Sequence, residues 1–398
     1  MGDAGHSGSL LALRAARLFT GDDVVDRPVV LVDGEKIVAV GVTPPESAQV
    51  VDLGDTTLLP GLIDCHQHLC FDGNGTLEEQ VVSVDDDALS KRAHASASRA
   101  LAGGVTTLRD LGDRSFVTLP LRNDPSLPTI LASGPPLTRV GGHCWYLGGG
   151  CSGDDELTRA VRDRVERGCD LIKVMVTGGG MTPTFPMWEP QFSDAELRAV
   201  VEEAHRSGLP VAAHCHGVAG IEQALDANAD SIEHCTFMTS SGRCEPVDRV
   251  VDRLAAADVA VSVTLGRLKH IPLPPMIANN LDVLLETRMR LHAKGATMVV
   301  GTDAGISQAK PHDVLPNAFA DLVESGMTPI EALQALTTVA AKVCGVADRK
   351  GKLAAGFDAD LVAVAGDPFS DVAALTAVAS VWRAGREVAH RDAEREGV

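Results

Sequence analysis

Two histidines one residue apart, His66 and His68, stand at the end of a short apolar segment that spans residues 61–68. Side chains two residues apart on a β-strand point to the same side, so the two imidazoles would project together. Two imidazoles that converge at a strand end can share one metal ion. Taken alone, the pair could equally be two solvated histidines in a loop.

Three other residues with metal-binding side chains each end a later apolar segment of the chain. They are His214, His234 and Asp303. In a parallel barrel the active site lies at the carboxyl ends of the strands, where such residues would meet. Any one of them could be a satisfied core or surface group, but the three together with His66 and His68 indicate a metal centre.

Lys173 lies within an otherwise apolar segment, residues 170–176. Burial of an ammonium group is costly unless the group is paired. One interpretation is a structural lysine in an ion pair. The other is that the amine has reacted with CO2 to give a carbamate, an anion whose two oxygens can bridge two cations. Beside four histidines and Asp303, we favour the carbamate.

The segments that hold these residues alternate with helical stretches through the middle of the chain. Ser193 with Glu196, and Thr328 with Glu331, form capping boxes that begin two of the helices. Eight strands, each followed by a helix, predict an α/β fold of the (β/α)8 TIM-barrel type. An open doubly wound sheet is the alternative, but no Gly-rich phosphate-binding turn follows a first strand. The candidate strands are residues 61–68, 105–110, 129–133, 170–176, 210–214, 231–234, 259–264 and 297–303.

Short β-type runs lie at both ends of the chain, outside this region. Neither end holds enough of them for a stable sheet alone. We therefore predict a composite β-sandwich domain from residues 1–59 and 346–398, and a barrel domain from residues 60–345. The runs are residues 11–14, 29–32, 36–40, 359–364, 378–382 and 387–388.

The 398-residue chain has 35 basic and 54 acidic residues, a formal net charge of −19. An acidic surface repels phosphate backbones and anionic lipid headgroups, so we expect no nucleic-acid and no membrane partner. No apolar run approaches the ~20 residues of a membrane span, and the first residues lack the order of a signal peptide. Nine cysteines without a CxxC pair suit free thiols in a reducing compartment. We therefore expect a cytoplasmic protein.

Five motifs resemble, in this order, those of the amidohydrolase superfamily, in the branch of imidazolonepropionase-like hydrolases and metal-dependent Xaa-Pro dipeptidases (prolidase-like and carboxypeptidase-like enzymes). The motifs are GLIDCHQH, LIKVMVTGG, AAHCHG, SIEHCTF and GTDAG. The resemblance covers nearly all of the chain, including both terminal β segments. It implies two divalent ions, with zinc the expected metal, bridged by a carboxylated lysine that Lys173 matches.

The resemblance also implies a role for each of the other candidate ligands. His66 and His68 match the ligands of the more buried ion. His214 and His234 match the ligands of the second ion. Asp303 matches the aspartate that binds the first ion and moves protons during catalysis.

These roles imply hydrolysis of an amide bond in a small molecule, whether peptide-like, an N-acyl amino acid or a cyclic amide. A hydroxide that bridges the ions would attack the carbonyl carbon, and Asp303 would pass its proton to the leaving nitrogen. A lactone, a carbamate or a urea could be hydrolysed in the same way. A mononuclear deaminase is disfavoured because Gly217 stands where those enzymes have a glutamate and because Lys173 is present. A catalytically silent scaffold is disfavoured because every ligand position is filled.

The sequence also offers candidates for the substrate pocket. His143, in a Gly-Gly-His segment, resembles a histidine that lies near the substrate in the dipeptidase branch and would take part in catalysis; a plain loop histidine is the alternative. Tyr146 in the same loop, and His216 on the same strand face as His214, are expected near the substrate. Arg267 is a candidate for holding a substrate carboxylate, although its segment lacks the usual Pro-Thr pair of the branch. The resemblance also permits a homo-oligomer.

Overall fold

A computed structural model describes residues 10–182 and 185–390. Residues 1–9 and 391–398, the outer parts of the two segments predicted to form one β domain, lie outside the described residues. In every helix of the described part, the length or the apolar character falls short of what a bilayer crossing requires. All nine cysteines are free thiols, as expected.

The strands are short and are numbered here in chain order. The N-terminal strands are β1 (Leu11–Arg14), β2 (Arg17–Phe19), β3 (Val24–Asp26), β4 (Val29–Asp33), β5 (Lys36–Val40), β6 (Gln49–Asp52) and β7 (Thr56–Pro60). The central strands are β8 (Leu62–Gln67), β9 (Val105–Asp110), β10 (Thr129–Ala132), β11 (Thr138–Arg139), β12 (Gly150–Cys151), β13 (Ile172–Met175), β14 (Val211–Gly217), β15 (Ser231–Met238), β16 (Ala260–Thr264) and β17 (Thr297–Gly301). The C-terminal strands are β18 (Leu361–Ala365), β19 (Val378–Arg383) and β20 (Arg386–His390).

The two ends of the chain share one sheet. Its strand order is β20-β19-β18-β7-β2-β3, and a second sheet has the order β5-β4-β1-β6. The second sheet is built from the N-terminal segment alone, so the expectation that neither end holds enough strands for a sheet was wrong for this end. The strand that sequence analysis missed is β6, which pairs in parallel with β1 and completes the sheet. Buried side chains of both sheets, among them Leu13, Val30, Leu361 and Trp382, form one apolar cluster. The boundaries of this β domain stay a prediction.

Eight of the central strands form two parallel sheets, of order β10-β9-β8 and β13-β14-β15-β16-β17, and β11 pairs in parallel with β12 in a small third sheet. An isolated parallel bridge between Gln67 and Ala304 joins β8 to the residues after β17, and another between Leu137 and Val174 joins the residues before β11 to β13. All eight predicted strands are present. Most of their ends differ from the prediction by one to three residues, whereas β15 runs four residues further, to Met238.

Helices separate most of the parallel strands. The capping boxes of α4 and α10 are formed as predicted, since Ser193 and Thr328 each accept the amide of the glutamate three residues on. Helix α4 turns Leu197, Val200 and Ala204 into the core. The helices are α1 (Leu77–Val82), α2 (Asp86–Ala102), α3 (Asp154–Arg167), α4 (Asp194–Arg206), α5 (Val218–Asp226), α6 (Asp248–Ala256), α7 (Pro275–Ala278), α8 (Leu281–Ala293), α9 (Ala318–Glu324), α10 (Pro329–Ala335) and α11 (Thr338–Val343).

Candidate metal centre

His66 and His68, at the carboxyl end of β8, meet Asp303, which lies two residues after β17. His66 Nε2 is 3.2 Å from His68 Nε2. Asp303 Oδ1 is 3.5 Å from the first of these nitrogens and 3.3 Å from the second. All three side chains are buried, and their ligand atoms lie within 4.8 Å of one another. The structure therefore brings together three residues that the sequence assigned to one ion.

The outer nitrogens of both histidines face groups that only accept hydrogen bonds. His66 Nδ1 is 3.0 Å from Glu233 Oε2, and His68 Nδ1 is 3.2 Å from the carbonyl oxygen of Gly112. A neutral ring at either position must then hold its proton on Nδ1 and direct the Nε2 lone pair towards Asp303. Three acceptors that converge in this way repel one another unless a cation lies between them. The donor set fits a divalent metal ion.

A second group of histidines lies beside the first, on β14 and β15. The ligand atoms of His214, His216 and His234 are within 4.8 Å of one another. His214 Nδ1 is 3.0 Å from His234 Nε2, while His214 Nε2 is 3.2 Å from the Gly178 carbonyl oxygen. The ring of His234 also lies 5.2 Å from that of His66 between centroids. The two groups are therefore neighbours, as a pair of adjacent ions would require.

The side chain of Lys173, on β13, is almost completely buried. Its Nζ has no hydrogen-bond partner among residues 10–182 and 185–390. Burial lowers the pKa of this amine below its usual value. Its charge also contributes to lowering the pKa values of His66 and His214, so the amine lies within electrostatic reach of both histidine groups. An ion-paired structural lysine does not fit these observations.

Local backbone geometry explains how neighbouring residues reach the site. In a regular strand Glu233 and His234 would face opposite sides. His234 adopts a positive φ of 69°, which interrupts this alternation, and Asp303 has a φ of 59°. Gly301 is needed beside them, because a Cβ there would stand 2.1 Å from the Cβ of His66. Backbone strain of this kind is typical of functional sites.

The electrostatics of the site favour metal-binding protonation states. Burial lowers the pKa of His66 and His216 to about 4 and that of His143 to about 3. These rings are therefore neutral at pH 7, the form that binds a metal. Burial alone would raise the pKa of Asp303, but nearby positive charge, including that of Lys310, holds it below its ordinary value. The carboxylate is therefore ionised.

Of the predicted pocket residues, His216 belongs to the second group of histidines and His143 lies against it. The ring centroid of His143 is 4.6 Å from that of His214, and its Nδ1 is 3.1 Å from Thr182 Oγ1. His216 stacks on His234 with a centroid distance of 4.6 Å, and its Nδ1 is 3.0 Å from Thr236 Oγ1. Contact of either histidine with a substrate stays a prediction.

The other two predicted pocket residues are engaged elsewhere in their loops. The hydroxyl of Tyr146 is buried and donates to Cys144 Sγ at 3.6 Å. Nη1 of Arg267 donates to three carbonyl oxygens of its own loop, at 3.1 to 3.4 Å. Contact of either residue with a substrate stays a prediction.

Three charged residues near the site escaped the sequence analysis. Arg109 and Glu233 are buried in β9 and β15, with Nη2 and Oε1 3.0 Å apart. Lys310 donates to the carbonyl oxygen of Thr302 at 2.6 Å. A charged residue inside a predicted strand helped to identify Lys173, and Arg109 and Glu233 also lie inside predicted strands.

Gly217 adjoins the second histidine group and bears on the deaminase alternative. A Cβ at this position would lie 2.3 Å from the carbonyl oxygen of Trp188. The backbone therefore leaves no space for the glutamate that a deaminase would place there.

Comparison with known proteins identifies the family. The profile of the amidohydrolase family matches residues 57–388. This chain belongs to the amidohydrolase family. Ochratoxinase from Aspergillus niger is 29% identical to this amidohydrolase, over 94% of this chain and 85% of the relative. Imidazolonepropionase from Pseudomonas putida is 28% identical, over 80% of this chain and 82% of the relative.

A solved structure also resembles this amidohydrolase. A Xaa-Pro dipeptidase, crystallised with methionine bound in its active site, superposes with a TM-score of 0.84 at 28% identity, over 95% of this chain and 99% of the other. These findings confirm the branch that the sequence motifs indicated. The amidohydrolase is accordingly an enzyme, a hydrolase that acts on carbon–nitrogen bonds.

Proposed function

We propose that this amidohydrolase holds two divalent metal ions, zinc first among the candidates, and hydrolyses an amide bond in a peptide-like, N-acyl amino acid or cyclic amide substrate. The supporting observation is the convergence of His66 Nε2, His68 Nε2 and Asp303 Oδ1, three acceptors whose mutual approach calls for a cation. In the same proposal, the two parallel sheets close into a (β/α)8 barrel beside a β-sandwich; the isolated bridges at both joins and the matched structures support this.

The proposed ligands divide into two sets. His66, His68 and Asp303 would hold one ion, and His214 and His234 would hold the other. Bound there, divalent ions supply Lewis acidity that polarises a carbonyl oxygen and lowers the pKa of water to about 7.

Lys173 would provide a ligand shared by both ions. Its neutral amine adds to the carbon of CO2, a nitrogen–carbon bond forms and one proton leaves to solvent, which gives a carbamate anion. The lowered pKa of the amine supports this step, because only the unprotonated amine is a nucleophile. The unpartnered Nζ supports it too, because carboxylation replaces a buried cation with an anion.

Asp303 would move the proton in the reaction. One of its oxygens, Oδ1, faces His66 and His68, so we assign proton transfer to Oδ2. This oxygen accepts a proton from the attacking water and then delivers it to the leaving nitrogen, so that an amide and water become a carboxylic acid and an amine. His143 and His216 would orient the substrate beside the second histidine pair.

The relatives support a small-molecule substrate of this class. One structural neighbour is a Xaa-Pro dipeptidase, which favours a substrate with a peptide-like bond. The experiment is to assay the purified protein, with its metal content measured, on N-acyl amino acids, dipeptides and lactams, and on a second panel of lactones, carbamates and ureas. We expect turnover on the first panel and about two ions per chain.

Two histidine substitutions, one inside and one outside the proposed site, test whether the site is responsible for turnover. His66→Ala should abolish turnover and lower the metal content. The matched control is His205→Ala, because His205 is an exposed histidine on α4 that pairs with Asp230 at 2.8 Å; it should retain activity. Full activity of His66→Ala would remove this residue from the site, and turnover on the second panel alone would reassign the bond.

A further inference from the structure

A fully buried carboxylate, Glu233, lies behind His66 on the side away from Asp303. Glu233 Oε2 is 3.0 Å from His66 Nδ1. Its other oxygen, Oε1, accepts from Arg109 Nη2 at 3.0 Å and from Ser231 Oγ at 2.7 Å. Both carboxylate oxygens are therefore occupied, and Oε2 is the one that contacts a proposed metal-binding residue, His66.

The same arginine also holds the backbone that precedes His66. Arg109 Nε donates to the carbonyl oxygen of Cys65 at 2.6 Å, and Nη1 is 3.4 Å from Ser231 Oγ. The Arg109–Glu233 pair thus links β8, β9 and β15 across the interior. Each of these contacts restricts the position of either the His66 ring or the chain that bears it.

The chemistry of the contact sets which nitrogen of His66 is available. An ionised carboxylate only accepts, so a neutral His66 ring beside it must place its proton on Nδ1. The Nε2 lone pair is then directed towards His68 and Asp303. In the opposite tautomer, Nδ1 would present a lone pair to a carboxylate and Nε2 would have no lone pair for a cation.

The charges make this arrangement stable only as a unit. A carboxylate buried without a partner would be strongly disfavoured, and Arg109 is the cation that compensates it. The strand geometry explains why Glu233 can take this position while the adjacent His234 serves the second group. The positive φ of His234 lets consecutive side chains point into the same interior.

We propose that Glu233, held by Arg109, is a positioning residue that fixes the tautomer and orientation of His66 and thereby sets the metal affinity of the His66–His68–Asp303 group. This inference rests on the proposed function, because it assumes a metal at that group. Partners of this kind on metal-bound histidines typically change metal affinity by about 10- to 100-fold. A purely structural ion pair would stabilise the fold without such an effect.

The direct test needs no substitution in the pair. In metal-free wild-type protein labelled with ¹⁵N-histidine, the nitrogen signals of His66 are assigned by their loss in His66→Ala and read for the protonated nitrogen. We expect Nδ1–H. A ring protonated on Nε2 overturns the proposal, whatever the activity of the enzyme.

The second test uses Glu233→Gln, which keeps the shape and removes the charge. A calorimetric titration with zinc measures the affinity of both metal sites. One of the two zinc ions should bind to Glu233→Gln about 10- to 100-fold more weakly than to the wild type, and the other should bind with unchanged affinity. Glu203→Gln is the matched control, since Glu203 is a buried carboxylate that pairs with Arg162 and Arg206 away from the site. The control should bind both equivalents as the wild type does.

The outcomes separate the two proposals. If the wild type binds no metal, the proposed function fails. If the wild type binds two ions and Glu233→Gln binds them equally well, with only a lower thermal midpoint, the pair is structural and the inference about Glu233 fails alone. If Glu233→Gln does not fold, the tautomer of His66 in the wild type still decides.

Discussion

Gly179→Ala tests whether His143 takes part in the reaction without changing His143 itself. A Cβ at residue 179 would lie 2.3 Å from Nε2 and 2.4 Å from Cε1 of the His143 ring. Non-bonded heavy atoms keep about 3.5–4.0 Å apart, so the ring must retreat by roughly 1 Å or more. That movement would break the 3.1 Å contact between His143 Nδ1 and Thr182 Oγ1.

The expected loss follows from the hydrogen bond that His143 would make to the substrate. Removal of one such bond costs about 1–3 kcal/mol, which corresponds to a roughly 5- to 150-fold lower kcat/KM. The three atoms nearest to the added Cβ belong to His143 and not to a proposed metal ligand, so metal content should stay at the wild-type value. The assay is steady-state kinetics on the best amide substrate, with metal analysis of the same samples.

Two further variants sharpen the result. Gly180→Ala is the control in the same loop, because its Cβ would meet Met276 Cε at 3.2 Å and Met187 Sδ at 3.8 Å, and flexible methionine ends can move. We expect nearly full activity from it. Combining Gly179→Ala with His143→Ala should cost no more than His143→Ala alone. If Gly179→Ala has wild-type kinetics, a role for His143 in the reaction is refuted. If Gly179→Ala loses metal, its lower activity does not come from the displacement of His143.

Two further predictions concern proton transfer and stability. Asp303→Asn should lower kcat by about 100- to 10,000-fold if Asp303 moves the proton; a variant with unchanged kcat at full metal occupancy would rule this out. Burial alone would raise the pKa of Asp358, but hydrogen bonds and charges from Lys36, Lys350 and Arg349 lower it from 3.8 to about 2. The ionised carboxylate therefore stabilises the folded protein fully above pH 3.8, and this stabilisation is lost as the pH falls through 2. Asp358→Asn should therefore lower the free energy of unfolding by about 1–2 kcal/mol at neutral pH. Its thermal midpoint should converge with that of the wild type near pH 2. An equal difference between the two midpoints at both pH values would contradict the lowered pKa of Asp358.

Much of the fold could be predicted because the parallel strands are apolar runs bounded by helix caps. The segments around Lys173 and Asp303 were recognisable from hydrophobic periodicity and from the ligands at their ends. Strand pairing in the terminal sheets was less accessible, since β6 becomes a strand through β1 of the same segment and β7 through β18 at the other end of the chain. The exposed β6 has little apolar pattern of its own, so its local sequence could not reveal it.

The convergence of the candidate metal-binding residues could be predicted from their types and strand positions, whereas their supporting contacts could not. The strand periodicity predicts that Glu233 and His234 face opposite sides, and only the positive φ of His234 changes this. The orientation of Arg267 depends on the carbonyl groups of its own loop, and no sequence pattern fixes such a loop. These features depend on tertiary geometry rather than on local sequence.

The central claim is that two metal ions lie between the histidine groups and a carboxylated Lys173. Crystals of the zinc-loaded protein, measured on both sides of the zinc absorption edge, test it most directly. We expect two anomalous peaks, one beside His66, His68 and Asp303 and one beside His214 and His234, with density for a carbamate on Lys173 between them. A map without anomalous peaks at these side chains, and with an unmodified Lys173, would contradict the claim.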